Sequence, residues 1–347
     1  MTTRDEGAAA NATPSAVALG VVVVSYNTRE LLAACLAHLT AAVDQIGLPA
    51  EIWVVDNASN DASAEMVAET FGSVRLLAEP RNLGFTAANN RLLGPWASGA
   101  RACPDRVLLL NPDTEIDAAA LRELMTTLDR DDRAAVVGPA LHYPGGRFQH
   151  AAFRFPGLIQ TGLDLFPVPR LLDHPINGRY PRKCYAADQA FEVDFVLGAC
   201  MLIRGEALRA VGPLDEGFFM YCEEIDWCKR AAEAGWRRLC TPAADVLHHA
   251  GGATGQPAFR AAAFVQLWRS RRRYFARHAS AWRRAGFAGL LRLGLASRLA
   301  GDRWSARRGR IDPAELAARR AAYREVLAPL DPDLALRADA ESGRAGS

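Results

Sequence analysis

The chain has 347 residues, of which 50% are hydrophobic and 23% charged, so it can bury a sizeable core in two domains or one large one. Its formal net charge of +2 excludes a uniformly basic nucleic-acid-binding protein, and no apolar run is long enough to cross a bilayer. The seven cysteines are odd in number and include no C-x-x-C pair, which favours free thiols in a reducing compartment. Residues 1–15 lack the basic start and apolar centre of a signal peptide, so we expect a cytoplasmic protein.

Short apolar runs alternate with segments of helical periodicity in the first part of the chain. Between residues 17 and 141 the pattern predicts, in order, strand 17–24, a helix from residue 29, strand 51–55, helix 62–71, strand 74–77, helix 86–93, strand 107–110, helix 118–128 and strand 134–141. This alternation predicts an α/β fold with a mostly parallel sheet and helices on both faces. Residues 1–16 and 336–347 are expected to be disordered tails.

The chain changes character between residues 142 and 190, which are rich in proline and glycine. We expect a long loop here that could cover or shape an acceptor site. After it the pattern predicts a strand at 199–203, a helix from Glu223 to Ala234 and a last strand at 236–239.

Polar residues stand at the carboxyl ends of the predicted strands, the edge where open α/β sheets bind ligands. Asp113 follows strand 107–110 across a turn at Asn111 and Pro112, and it offers a hard oxygen ligand for Mg²⁺ or Mn²⁺, which would hold a diphosphate. Its alternative role is to form the turn or cap the next helix. Asp56 follows strand 51–55 and could accept hydrogen bonds from a ribose or base edge, or could cap the next helix.

The segment from Arg81 to Phe85 follows the third predicted strand. Gly84 permits a positive φ or a close backbone approach, and the planar guanidinium of Arg81 suits a phosphate. The alternative for Arg81 is a solvated surface charge.

Three acids open the helix predicted from residue 223. Glu223 and Asp226 share a helix face with Trp227, whereas Glu224 is rotated about 100° away. Acids at a helix start suit the helix dipole, but an aromatic approach that includes Tyr221 also suits a general base beside a sugar ring. We predict Glu224 or Glu223 as the base, with Tyr221, Asp226 and Trp227 as acceptor-binding residues.

Two further segments carry candidate functions. His248 and His249 precede a double glycine and could supply an imidazole to the metal at Asp113, although a lone histidine more often has a structural role. Residues 260–310 contain fourteen arginines and one acid, Asp302, with aromatic residues interleaved. The pattern predicts a basic helical extension, 259–335, that lies on an anionic membrane surface or packs on the catalytic domain; nucleic-acid binding is disfavoured for lack of a recognised module.

Seven motifs occur in the order seen in family-2 glycosyltransferases, especially the rhamnosyltransferase-like branch, which this chain resembles over roughly residues 17–285. They lie at residues 21–27, 54–59, 82–85, 109–114, 198–204, 218–226 and 249–254. The resemblance implies a GT-A fold in residues 17–258, with a nucleotide-binding half at about 17–117 and an acceptor half at about 118–258. It also implies an inverting enzyme that uses a nucleoside-diphosphate sugar and a divalent metal.

Site roles follow from the motif positions in this resemblance. Asp56 would contact the base or ribose, Asp113 would occupy the metal-binding DxD position with Asn111 in place of the first acid, and Glu224 would act as base. His249 would be the late metal-binding histidine. The residues expected to hold the nucleotide sugar are Tyr26, Asn27, Asp56, Asn57, Arg81, Gly84, Phe85, Asn111 and Asp113.

The resemblance also suggests the substrates. The leading donor is dTDP-rhamnose and the acceptor is a glycan or a polyprenyl-linked sugar in cell-surface polysaccharide synthesis, at the inner face of the plasma membrane. The Q-x-x-R-W signature of processive polymerases is absent, so one sugar would be added per encounter. The alternatives are transfer of another sugar from a UDP donor, a nucleotidyltransferase, or a sugar-nucleotide-binding protein without turnover.

Overall fold

The computed structural model describes residues 17–187, 189–251 and 257–330. The predicted tails at 1–16 and 336–347 lie outside these residues, as does the end of the predicted extension at 331–335. Strands and helices alternate at the start of the described chain as predicted: β1 (Leu19–Ser25), α1 (Arg29–Ile46), β2 (Ala50–Asp56), α2 (Ser63–Thr70), β3 (Val74–Ala78), α3 (Gly84–Ser98) and β4 (Arg106–Leu110).

The first four strands form a parallel sheet in the order β3-β2-β1-β4. Strand β1 is buried on both faces, which explains its unbroken apolar sequence. Val21 and Val23 pack in one core with residues of α1, and Val22 packs in the other core with Trp96 of α3. The parallel register brings Ser25 beside Asp56 at the carboxyl edge of the sheet.

The second part of the chain contains more secondary structure than its sequence pattern predicts. In order, it comprises β5 (Thr114–Glu115), α4 (Ala118–Asp129), β6 (Ala134–Tyr143), β7 (Arg147–Gln149), β8 (Ala152–Phe153), α5 (Leu158–Leu165), α6 (Arg182–Tyr185), β9 (Phe191–Glu192), β10 (Phe195–Val196), β11 (Cys200–Arg204), α7 (Gly205–Val211), α8 (Glu223–Glu233) and β12 (Arg237–His248). The region predicted as a loop, 142–190, therefore holds strands, helix α5, two 3₁₀ turns and helix α6.

The sheet as a whole is mixed. Strand β11 lies between β4 and β6 and runs antiparallel to both, whereas β12 runs parallel to β6. The prediction of parallel strands is confirmed for β1 to β4, and the acceptor half departs from it because β11 enters the sheet in the opposite direction.

Strand β12 is much longer than the predicted strand at 236–239. A register shift lies between Thr241 and Asp245, and the strand then continues to His248. The far end of β12 pairs antiparallel with β5, which sets His248 opposite Thr114. Pro242 and the bulge break the apolar pattern, so local periodicity does not reveal the continuation.

Three helices follow the sheet: α9 (Pro257–His278), α10 (Ala281–Arg307) and α11 (Pro313–Leu327). Trp268, Tyr274, Phe275 and Phe287 are buried in a core shared with α3 and α8. For these four residues the structure supports the packing alternative, because their side chains are buried against the catalytic domain. Among residues 17–187, 189–251 and 257–330, no helix combines the length and apolarity that crossing a bilayer requires.

Candidate active site

A cavity of about 430 Å³ opens at the carboxyl ends of β1 and β4. Its walls come from the parallel half of the sheet, from the start of α8, from the end of β12 and from α9. Nine of the predicted site residues line it: Tyr26, Asn57, Gly84, Phe85, Asn111, Asp113, Tyr221, Glu223 and Glu224. Residues more than 100 positions apart in sequence thus meet around one space.

Asn27 and Asp56 organise the loops at the ends of β1 and β2. The side-chain oxygen of Asn27 accepts a hydrogen bond from the Asn60 N–H (2.8 Å), and its own N–H donates to Ser59 Oγ (3.0 Å). The Asp56 Oδ2 accepts from the Ser59 N–H (3.0 Å). Asp56 does not cap α2, whose first residues bond instead to Asp61. Asn27 does not line the cavity, and its contact with the donor stays a prediction.

Asp56 keeps one oxygen for another partner. Its Oδ1 is buried, and within the described part of the chain it has no hydrogen-bond partner. A buried carboxylate oxygen without a partner is costly, which fits an acceptor held ready for a ligand hydroxyl or N–H. Arg81, by contrast, is exposed and lies outside the cavity lining.

Asn57 holds the loop that carries Gly84. Its Oδ1 accepts from the Leu83 N–H (2.8 Å) and its amide donates to Asn82 Oδ1 (2.9 Å) and to the Gly84 carbonyl (3.3 Å). Gly84 has a φ of +81°, and the next residue, Phe85, donates its N–H to the Phe219 carbonyl (2.8 Å). The donor loop and the loop before α8 therefore touch backbone to backbone.

We predict that Gly84→Ala lowers the free energy of unfolding by roughly 2 to 4 kcal/mol and weakens donor binding. A Cβ at this position would lie 2.5 Å from the Phe219 ring and 2.6 Å from its carbonyl oxygen, and the positive φ adds strain. Urea denaturation and donor titration measure the two effects. Gly72→Ala is the control, because nothing lies within 4 Å of its Cβ. Equal effects of the two substitutions would contradict the prediction.

A strained turn presents the carboxylates of α8. Tyr221 and Cys222 have φ values of 69° and 67°, a region that non-glycine residues adopt at a cost of about 1 to 3 kcal/mol each. The Ser270 hydroxyl of α9 donates to the Met220 carbonyl (2.7 Å) and helps to hold the turn. Such strain is typical of functional sites.

Glu223 and Glu224 lie side by side in the cavity wall, and each has a buried Oε2 without a hydrogen-bond partner in the described part of the chain. Burial and the charge of Glu224 raise the pKa of Glu223 well above its usual range. Burial also raises the pKa of Glu224, but backbone hydrogen bonds and the Arg271 guanidinium oppose the rise and leave this pKa at about 7. The pKa values of both carboxyls are therefore raised, and burial is the largest cause for each.

Asp226 and Trp227 do not reach the cavity, so the prediction that they bind the acceptor is wrong. Trp227 is fully buried and donates its indole N–H to the Gly212 carbonyl (2.9 Å). Asp226 is fully buried and accepts hydrogen bonds from Arg230 (2.8 Å) and His278 (2.7 Å). Both residues lie about one turn into α8, where the helix packs on α7 and α9, whereas Glu223 and Glu224 at its first turn line the cavity.

We predict that Asp226→Asn destabilises the fold by about 3 to 5 kcal/mol, because it leaves the half-buried Arg230 guanidinium and the buried His278 ring without their anionic partner. Burial alone would raise the pKa of Asp226, but the His278 hydrogen bond and the Arg230 charge outweigh it and lower the pKa. The stabilisation is therefore present above the usual pKa of 3.8 and is lost as the pH falls through the lowered value. In urea denaturation, the difference in the free energy of unfolding between wild type and variant should disappear at acid pH.

The control for this prediction is Asp129→Asn. Asp129 pairs with Arg106 at 2.7 Å, but 46% of its side chain is exposed, so the loss should be below about 1 kcal/mol. If Asp226→Asn lowered the free energy of unfolding by no more than Asp129→Asn does, the structural role of Asp226 would be contradicted.

Asp113 faces His248, and not His249 as predicted. The Asp113 Oδ1 and the His248 Nε2 are 3.4 Å apart, whereas His249 Nε2 contacts Glu115 Oε1 at 2.8 Å. The pairing of β12 with β5 causes this arrangement, since it aims His248 into the cavity and turns the next side chain towards Glu115. Asp113 does not cap α4, because that role belongs to Asp117, which accepts from the Ala120 N–H (2.8 Å).

The His248 ring is oriented by a second contact. Its Nδ1 lies 3.1 Å from Gln149 Oε1, and this contact fixes the orientation of the ring. The Nε2 atom is then directed towards Asp113, as in metal-ligating histidines whose other ring nitrogen is hydrogen-bonded. Gln149 and His248 come from different strands, and sequence reasoning missed their pairing.

Other contributors from α9 were also missed. Ala262, Ala263 and Gln266 line the cavity, and Arg271 acts on the Glu224 carboxyl through its charge. The basic and aromatic composition of this segment indicates a membrane or packing helix, and nothing in the local pattern signals a wall of the active site.

Comparison with known proteins agrees with this geometry. The family model described as Glycosyl transferase family 2 matches residues 20–212. The N-acetylglucosaminyl-diphospho-decaprenol L-rhamnosyltransferase of Mycobacterium tuberculosis is 32% identical over 286 residues, which are 81% of this chain and 91% of that protein. Rhamnosyltransferase WbbL of Escherichia coli is 39% identical over 72 residues, which are 21% of this chain and 26% of that protein.

Solved structures share the fold. The mannosyltransferase PcManGT from Pyrobaculum calidifontis, in complex with GDP-Man and Mn²⁺, aligns with a TM-score of 0.51 and 16% identity over 91% of this chain and 90% of that one. GalNAc-T7 with UDP, GalNAc and Mn²⁺ aligns with a TM-score of 0.51 and 17% identity over 67% of this chain and 43% of that one. The predicted GT-A fold is confirmed. The chain therefore belongs to glycosyl transferase family 2, and it is a glycosyltransferase.

Proposed function

We propose that this glycosyltransferase transfers L-rhamnose from dTDP-rhamnose to N-acetylglucosamine that is linked through a diphosphate to a polyprenol. The mycobacterial relative supports the choice of sugar and acceptor, since its name states both and this chain covers most of its length. The observation that carries the proposal is the single cavity lined by Asp113, from the donor half, and by Glu223 and Glu224, from the acceptor half. Each encounter adds one sugar with inversion of its anomeric carbon.

The residues at Asp113 fit a divalent cation that also binds the donor. The carboxylate oxygen of Asp113 suits Mg²⁺ or Mn²⁺, and the imidazole nitrogen of His248 suits Mn²⁺ better than Mg²⁺. Within the residues that the structure describes, no group of three or more His, Cys, Asp or Glu side chains could hold a metal. Diphosphate oxygens and water would therefore complete the coordination, as is usual for Mg²⁺. When bound, the ion supplies positive charge against the leaving diphosphate.

The chain's own residues carry the other steps. Glu224, which its pKa of about 7 leaves partly ionised near neutral pH, removes the proton from the acceptor hydroxyl as the hydroxyl oxygen attacks the anomeric carbon. The nucleoside diphosphate leaves from the opposite face, which inverts the configuration. Asp56 binds the base or ribose with its unpartnered oxygen, and the guanidinium of Arg81 binds a phosphate. Tyr221 lies in the cavity wall beside the carboxylates and contacts the acceptor sugar.

The experiment that tests the proposal compares nucleotide sugars. The purified protein is heated with Mg²⁺ and dTDP-rhamnose, a UDP-hexose or GDP-mannose, and dTDP-rhamnose should raise the melting temperature most. Mass spectrometry should then show that a short-chain polyprenyl-diphosphate-N-acetylglucosamine gains one deoxyhexose. If only a UDP-hexose raised the melting temperature and served as the sugar donor, the donor would be that UDP-hexose and not dTDP-rhamnose.

The proposed location is the cytoplasmic side of a membrane that contains the polyprenyl-linked acceptor. All seven cysteines are free thiols, which agrees with a reducing compartment. A lipid-linked acceptor requires the enzyme to work at a bilayer surface, and the basic extension supports peripheral binding to anionic lipid.

A further inference from the structure

Exposed large apolar side chains are concentrated on one part of the surface. The described residues include nine such side chains, and eight of them belong to residues 159–176 or to α10. These eight are Ile159, Phe166, Val168, Leu172, Ile176, Trp282, Leu293 and Trp304. The ninth, Leu327, is on α11. Monomeric soluble proteins rarely expose apolar groups in one place, so this concentration points to a partner.

The three exposed residues of α10 form one line. Trp282, Leu293 and Trp304 are 68%, 61% and 48% exposed and are spaced by 11 residues. At about 100° per residue, 11 residues make three turns with a remainder of about 20°, so the three side chains project from the same face. The row, which we call the apolar ridge, is about 33 Å long at ~1.5 Å per residue.

Helix α5 packs beside the apolar ridge. Its Leu158 and Leu165 pack on Gly286 and Gly294 of α10, where a Cβ would lie 3.0 Å and 2.7 Å from the leucine side chains. Ile159 and Phe166, each one residue further along, are 62% and 38% exposed and face away from the contact. The 3₁₀ turns that follow α5 add Val168, Leu172 and Ile176.

The charge of this surface is positive. Arg283, Arg292, Arg303 and Arg307 are exposed on α10. The acid of α10, Asp302, is buried and bonded to Arg319 and Tyr323. Near α5, Arg170 is exposed, while Asp164 is bonded to Arg271 and Asp173 to Arg179. The described part of α10 therefore presents arginines beside its apolar ridge and no free carboxylate.

We propose that the apolar ridge, together with the exposed apolar residues of 159–176, docks on a bilayer that contains anionic phospholipid. Tryptophan suits the interface between headgroups and acyl chains, and each nearby arginine gains about 1 kcal/mol from an anionic leaflet. Charge complementarity thus selects lipid over a second copy of this equally basic face. The proposal refines the surface contact given above and rests on the proposed function only for the acceptor that the membrane would carry.

One side chain, Arg271, connects the docking face with the catalytic carboxylates. Arg271 of α9 bonds to Asp164 of α5, and its charge acts on the Glu224 carboxyl. The segment that contacts lipid and the candidate base therefore share a neighbour. This contact gives a physical route by which the lipid-facing segment holds the site in place.

Flotation with vesicles tests the proposal. The wild-type protein should float with phosphatidylglycerol–phosphatidylcholine vesicles, less as salt rises, and poorly with phosphatidylcholine alone. The triple variant Trp282→Ala, Leu293→Ala, Trp304→Ala should bind the anionic vesicles at least about tenfold more weakly. Leu327→Ala is the matched control, since Leu327 is exposed on the same extension but lies outside the ridge. Circular dichroism and melting temperature establish that the variants fold.

Three outcomes would overturn the proposal: no flotation of the wild type, equal flotation of the triple variant, or a dimer in sedimentation that the triple substitution dissociates while flotation is unchanged.

Sugar transfer to a short-chain acceptor in solution tests catalysis separately from membrane docking. The triple variant should retain that activity and lose transfer to vesicle-embedded acceptor. A wild type that floats but transfers nothing would refute the proposed function and leave the docking face standing.

Discussion

Replacing Glu224 with glutamine is expected to lower kcat by about 10² to 10⁴-fold, the range usual for loss of a general base. Glutamine preserves the size of the side chain but cannot take a proton from the acceptor hydroxyl. Donor binding should be nearly unchanged, because the residues proposed to hold the donor belong to the other half of the catalytic domain. Initial rates with a short-chain acceptor, and donor titration by melting temperature, measure the two quantities.

Glu223→Gln is the matched control for this prediction. Burial and the Glu224 charge raise the pKa of Glu223 well above its usual range. The proposal gives the role of base to Glu224 alone, so we expect the Glu223→Gln variant to keep activity within about tenfold of wild type. The opposite result, an inactive Glu223→Gln and an active Glu224→Gln, would make Glu223 the base.

The pH dependence of wild type follows from the same carboxyl. A base acts only when deprotonated, so kcat/KM should rise with pH and level off above about pH 7, the pKa of Glu224. The raised pKa also means that the folded state binds this proton more tightly than the unfolded state. Its contribution to stability is thus fully present below the usual pKa of 4.5 and declines as the pH rises through about 7.

Asp113→Asn is expected to lower activity by about 10³-fold, equivalent to roughly 4 kcal/mol of lost charge stabilisation. The amide is a weaker ligand for a hard cation, so more Mn²⁺ or Mg²⁺ should be needed for half-maximal rate. Metal titration of the transfer reaction measures this requirement.

The two adjacent histidines provide a sharp control for the metal site. His248→Ala should raise the Mn²⁺ concentration for half-maximal activity by about tenfold or more, since Nε2 of His248 faces Asp113. His249→Ala should change it little, because that ring bonds to Glu115. If only His249→Ala raised the Mn²⁺ concentration needed for half-maximal activity, His249 and not His248 would be the metal ligand.

The sequence predicts the donor half well because its signals are local. The apolar runs of β1, β2 and β4 are buried on both faces, and polar residues begin where each strand ends. The strand pattern alone therefore predicts that Asp113 and Asp56 share one edge of the sheet. Their alternative roles as helix caps could not be dismissed from sequence, since a cap and a ligand use the same residue types.

The acceptor half is harder to predict because its contacts are distant in sequence. The pairing of β5 with β12 decides which histidine faces Asp113, and the two strands are more than 100 residues apart. Helix α5 was missed because its eight residues stand among prolines and glycines and gain their stability from α10. Composition alone left both a membrane helix and a packing helix open for α9, and its buried aromatic side chains complete the core.

Neighbouring side chains of a strand point to opposite sides of the sheet. The number of residues in the irregular segment of β12 between Thr241 and Asp245 therefore decides which later side chain faces the cavity. With the earlier pairing to β6 retained, loss of one residue from 242–244 would move His249 into the place of His248. The ring now bonded to Glu115 would then meet Asp113 and Gln149, and Glu115 would lose its contact with His249. A surface loop tolerates such insertions and deletions, but here they would change which histidine faces Asp113. The length of this segment therefore determines the metal ligand.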